Sequence, residues 1–139
     1  MSVHNLIFLA LSADLQLKRA VADRIYEHVP ARAAMPYIVI GEATSRPWNT
    51  TGVAGEERGA TDDVTVHVWS RDANRRETDT IVSRIHAALA FERLIPGPAA
   101  RANLHLVNVV RGETRTERLT ERNLVHATIR FRFTREDIR

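Results

Sequence analysis

Residues 124–133, LVHATIRFRF, alternate without a break. Val125, Ala127, Ile129, Phe131 and Phe133 fall on one face, and His126, Thr128, Arg130 and Arg132 on the other. Successive side chains of extended backbone point to opposite sides, so the pattern is that of a strand with one buried and one wet face. Residues 62–69 repeat it, with Val64, Val66 and Val68 opposed to Thr65, His67 and Trp69. Strands of this kind need a second layer over their apolar side. The stripe Ile81, Val82, Ile85, Ala88 and Leu89 provides one, as an amphipathic helix that ends before Ile95-Pro96-Gly97-Pro98.

The remaining segments fit around these three. In 3–22 the apolar residues Val3, Leu6, Ile7, Ala10, Leu11, Leu15, Leu17 and Val21 recur at spacings of three and four, broken by Ser12-Ala13-Asp14. This predicts two short helices, the second capped by Ser12 or Asp14. Residues 25–29 read as a short extended piece and 31–35 as a connection. Residues 36–43, PYIVIGEA, read as the first full strand, with Pro36 at its start where a missing donor costs least. Residues 44–61 lack any apolar period and carry three glycines and a proline, which predicts a long loop, functional or disordered. Residues 104–110 form another strand, and 112–123, GETRTERLTERN, the tip of an extended hairpin. Strands arriving in pairs around one long helix predict an α+β domain. Its sheet is mostly antiparallel, of about four strands, with helices packed on one face and the long loop and hairpin projecting.

A chain of 139 residues has room for one such core, so 1–139 is read as a single domain. The absence of cysteine excludes disulfides, thiolate zinc sites and cysteine nucleophiles, and suits a reducing cytoplasm. The run 6–11 is far short of a membrane span, and no basic residue precedes it as a secretory signal would require. The net charge is only +3, and the pI near 10 reflects arginine, since Lys18 is the lone lysine among 20 basic residues. Residues 81–139 hold the excess, 11 basic against 6 acidic. That supports weak polyanion contact and no dense nucleic-acid stripe.

The candidate chemistry resolves mostly into structure. His67, His105 and His126 lie on strands that could be neighbours, but none of the six histidines has a ligand spacing, so surface histidines are the simpler reading and no metal site is expected. Gly52, Gly55 and Gly59 precede a strand rather than a helix, which excludes a phosphate-cradling loop. In Arg130-Phe131-Arg132-Phe133 the rings and the charges face opposite ways, so no stacking platform for RNA forms. The carboxylate pairs Asp62-Asp63 and Glu56-Glu57 read as solvated loop residues, and no Gly-x-Ser-x-Gly elbow exists. No catalytic residue, cofactor site or enzyme is therefore expected. Arg46-Pro47-Trp48 differs: it sets an aromatic beside an arginine, the residue types of binding hot spots, in a segment outside the core pattern. The loop is expected to be mobile in the free chain and to gain order on a partner. The residues expected at an interface are Arg46, Pro47, Trp48, Arg115, Arg118, Arg130 and Arg132.

The segments Ile25-Tyr26-x-x-Val29-Pro30, Met35-Pro36-Tyr37-Ile38-Val39-Ile40-Gly41-Glu42-Ala43-Thr44 and Val64-Thr65-Val66-His67-Val68-Trp69-Ser70, followed by the helix ending in Leu89, resemble the phage tail-completion family. The resemblance runs over about residues 4–134. It implies a tail terminator of a long-tailed phage or a gene transfer agent: a homo-hexameric ring on the head-proximal end of the tail tube. Such a ring stops tube polymerisation and docks the head-completion (stopper or neck) protein. Its implied partners are the tail tube protein, the stopper, and double-stranded DNA passing through the lumen without sequence-specific contact. The implied location is the bacterial cytoplasm during assembly, then the neck or tail of the particle. The rival readings are a small basic RNA-binding or ribosome-associated α+β domain, and a small-molecule-binding or enzymatic domain using the strand histidines.

Overall fold

A computed structural model describes residues 2–48, 59–71 and 75–136. Two helices open the chain, α1 (Val3–Ala13) and α2 (Leu15–Val21). Ser2 caps the first by accepting from the Asn5 amide at 3.2 Å, and Asp14 caps the second by accepting from Leu17 at 3.0 Å. The short strand β1 (Ile25–Tyr26) follows, then β2 (Tyr37–Pro47), β3 (Gly59–Arg71) and the main helix α3 (Arg75–Ala88). Two single-turn helices, α4 (Phe91–Leu94) and α5 (Gly97–Arg101), lead into β4 (His105–Leu119). A 3-10 turn (Thr120–Arg122) joins β4 to β5 (Leu124–Glu136). Asn123 closes that turn in the left-handed region, at φ 54° and ψ 45°, where asparagine is among the few side chains tolerated.

The strands form one sheet in the order β1-β2-β3-β5-β4, antiparallel throughout except for β1 alongside β2. The expected α+β architecture is thus present. The sheet has a fifth, two-residue parallel strand at its edge, where 25–29 was expected to be one longer extended piece. The alternation seen in the sequence works as predicted: Val64, Val66 and Val68 of β3 and Ala127, Ile129, Phe131 and Phe133 of β5 are buried. They meet Leu6, Ile7 and Leu11 of α1, Leu17 of α2 and Ile81 and Ile85 of α3 in one core. Ser70 and Thr78, both fully buried, share a hydrogen bond that ties the end of β3 to α3.

Two expectations are corrected. Residues 44–47 and 59–61 are strand, not loop: Thr44 pairs with Asp63, Ser45 with Asp62 and Arg46 with Thr61. The ladder forms without apolar alternation because residues 42–47 are exposed on both faces, beyond the helix layer. Residues 49–58, which held the rest of the expected loop and its mobility, lie outside the described residues. Likewise 112–119 is paired strand, running to Leu119 opposite Leu124. Its polar residues sit on an edge strand, where the backbone bonds to β5 and most side chains stay exposed.

Candidate assembly surface

Among the described residues the helices cover one face of the sheet and leave the other open. Strand register sets its rows. Tyr37, Trp69, His126 and Glu117 lie across one end. Val39, His67, Thr128 and Arg115 come next. Thr44, Asp63, Arg132 and Val110 share a row beyond the bulges, and Arg46, Thr61, Thr134 and Asn108 the row after it. Register slips in β2 between Ile40 and Ala43 and in β4 between Arg111 and Thr114, on either side of the central β3–β5 pair, and β4 slips again between Leu106 and Asn108. Such bulges bend a strand and raise its twist, so two at one height curve the open face into a groove. Gly41 belongs to this bend. A Cβ there would stand 2.6 Å from the Thr65 carbonyl oxygen, and the Gly41 carbonyl accepts from His4 Nε2 of α1 at 2.6 Å.

Three clusters mark the open face. Asp63 accepts from Arg46 at 2.6 Å and from Arg132 at 2.8 Å, so two of the expected interface arginines are joined through one carboxylate. The Arg132 hydrogen bond, with help from Arg46, outweighs partial burial and holds Asp63 below the usual carboxylate range. At the far end His126 stacks on Trp69, with ring centres 3.9 Å apart and planes 7° from parallel, and its Nε2 shares a hydrogen bond with His67 Nδ1 at 2.8 Å. Burial pushes both imidazoles below the ordinary histidine range, and the neighbouring His67 adds to the effect on His126 against the pull of Glu117. The third cluster is Trp48, whose amide donates to the Gly59 carbonyl at 2.9 Å and whose indole Nε1 reaches Thr61 Oγ1 at 3.4 Å. Gly59 is required there, since a Cβ would stand 2.8 Å from the Trp48 ring and closer still to the Arg135 carbonyl.

The other expected residues distribute as follows. Pro47 is exposed at the end of β2, and Arg130 is exposed on the groove beside Thr65. Arg115 stands on the open face opposite Thr128, and Arg118 is exposed opposite Val125 near the hairpin turn. The seven therefore do not form one patch. Arg46, Arg130 and Arg132 converge on the groove with Trp48 at its end, while Arg115 and Arg118 lie toward the opposite end.

Asp62 and Asp63 are not the solvated pair that their adjacency suggests. As neighbours on a strand they point to opposite faces, and Asp62, only 3% exposed, accepts from Arg135 Nε at 2.8 Å on the helix side. The histidines divide too. His67 and His126 meet, but His105 lies at the other end of the sheet, 3.8 Å from Glu136. Among the described residues no three His, Asp or Glu side chains converge in the manner of a metal site. The sequence placed His67 and His126 on strands that could be neighbours, but it did not reveal their stack with Trp69 or the Arg46–Asp63–Arg132 bridge. Both need the register between strands 59 to 69 residues apart in the chain. The shared outward face was the only signal available.

The family described as tail completion protein gp17 matches residues 5–136. Among solved structures, a chain from the virion of a native gene transfer agent particle superposes with a TM-score of 0.75 at 19% identity, covering 94% of this chain and 92% of that one. The gp17 protein of bacteriophage SPP1 superposes with a TM-score of 0.56 at 25% identity, covering 95% and 87%. Comparison with curated proteins finds no match.

Proposed function

The chain belongs to the tail completion protein gp17 family, and from that membership we propose that it ends a phage-like tail tube at its head-proximal end. It is a structural protein of such tails. In the proposed role six copies close into a ring of about 94 kDa, six times the 15.7 kDa chain. The ring caps the last layer of tube protein and offers its opposite side to the head-completion protein. Double-stranded DNA passes through the lumen without sequence-specific contact. Arg46, Pro47, Trp48, Arg130 and Arg132 are the proposed contact residues around the groove, with Arg115 and Arg118 toward the hairpin. Assembly belongs to the bacterial cytoplasm, and the finished ring to the neck of the particle.

The observation that carries this reading is the family match across 5–136, almost the whole chain. The open sheet face is consistent with it, being lined with exposed arginines and half-buried aromatic rings and covered by no other part of the described chain. The RNA-binding alternative loses ground on the same face. Arg132 is engaged by Asp63, and Phe131 and Phe133 are buried away from any base.

The test is to assemble particles without this chain and with it restored. The proposed role predicts tails that fail to join heads and tubes of uncontrolled length in its absence. Normal, head-joined tails without it would reject the role.

A further inference from the structure

We propose that neighbouring copies join by extending one sheet, the outer edge of β4 in one copy pairing antiparallel with residues 42–47 of β2 in the next. This rests on the ring reading above and names its interface.

A strand at the edge of a sheet presents unpaired amide and carbonyl groups, and proteins ordinarily guard such edges with charge, proline or a covering element. β4 is an edge strand of 15 residues. Its hairpin half is guarded by Arg115, Glu117 and Arg118. Its other half, Leu106-Val107-Asn108-Val109-Val110, carries no charge; it is bulged between Leu106 and Asn108 but regularly paired from Asn108 to Val110, and Val107 and Val110 are 41% and 50% exposed. The opposite edge is also half covered. β1 pairs only with Ile38 and Val39, so 42–47 of β2 has no partner on its outer side among the described residues.

The two stretches correspond in position, although Glu42, Arg46 and Pro47 give that of β2 some of the charge and proline with which edges are ordinarily guarded. Register across the sheet puts Thr44 in one row with Val110, and Arg46 in one row with Asn108. The uncharged half of β4 is therefore level with the uncovered half of β2. Direction agrees as well. The four long strands β2, β3, β5 and β4 alternate in sense, so a second copy's β2 placed beside β4 by rotation about an axis along the strands runs antiparallel to it. An even number of alternating strands per copy lets this continue around a closed ring without a mismatched junction. Pairing β4 with β4 about a two-fold axis would also be antiparallel, but it uses up one edge and stops at two copies.

The chain has no cysteine, so introduced thiols report alone. The double variant Thr44→Cys/Val110→Cys, together with Glu42→Cys/Val110→Cys and Arg46→Cys/Val110→Cys to allow a shift of one row, is incorporated into tails and oxidised with copper phenanthroline. Head-to-tail edge pairing predicts a disulfide ladder reaching six copies from one of these pairs, and no crosslink from Val110→Cys alone. Dimers from the single variant would replace the proposal with β4–β4 pairing. Rings visible by electron microscopy with no ladder from any pair would overturn the edge pairing and leave the ring standing. Absence of rings from wild-type tails would overturn both. A second variant covers poor assembly of the cysteine forms. Val110→Glu should leave the melting temperature of the free chain unchanged, because the side chain is half exposed, and lower incorporation into tails about tenfold. Normal incorporation of that variant would also overturn the proposal.

Discussion

At the residue scale, the His67–His126 pair fixes how stability should vary with pH. The bond at 2.8 Å needs one ring to donate and the other to accept, so it survives only while at least one ring is neutral. Both rings titrate below their unfolded range, so the unfolded chain takes up protons first as the pH falls below about 6.5. Stability from this pair is therefore full above that pH and is lost as the pH drops toward the folded values. Thermal melts between pH 7.5 and 5 should show a falling midpoint that flattens in His126→Phe; an equal slope in the variant would contradict the assignment. Gly59 gives a second expectation. Gly59→Ala puts a methyl group against the Arg135 carbonyl and the Trp48 ring, so it should cost about 1–3 kcal/mol in denaturant unfolding. Trp48 itself is half-buried and hydrogen-bonded to Thr61.

At the element scale, Asp14 ends one helix and starts the next. It caps α2, and it also binds Arg84 Nη2 of α3 at 2.7 Å, which fixes the angle between the first helices and the main one. Burial raises its pKa, yet the Arg84 and Leu17 hydrogen bonds and the Arg84 charge overcome this and hold the carboxyl below its ordinary value. Asp14→Ala should cost about 1–2 kcal/mol through the lost cap alone. Asp14→Asn keeps an acceptor for Leu17 and should cost less; equal losses would mean that the cap contributes nothing. The helices α1, α2 and α3 and the two central strands were legible in the sequence because periodicity reports burial, and these elements are buried on one side; the single-turn α4 and α5 are too short to show a period. The outer halves of β2 and β4 were not. Ser45 and Thr116 look like loop residues because they form strand through pairing with β3 and β5, which leaves no trace in an apolar pattern.

For the whole molecule, the core of α1, α2 and α3 on five strands is expected to fold without a bound ion, so a melt with EDTA should match one without it; a large drop in midpoint would point to a metal at the strand histidines. The fold class was readable from strands arriving in pairs around one long helix, and the family from the PYIVIGEA and VTVHVWS segments. The proposed interface was readable only as a set of residue types, because which arginines converge depends on the register across β2, β3 and β5. The central claim is that this chain is the ring at the top of the tail, and cryo-electron microscopy of the head-proximal tail end of the parent particle tests it most directly. The account predicts density for six copies in one closed ring between the last layer of tube protein and the neck, with the sheets of adjacent copies joined edge to edge. One copy, an open arrangement, or density for this chain elsewhere in the particle would contradict it.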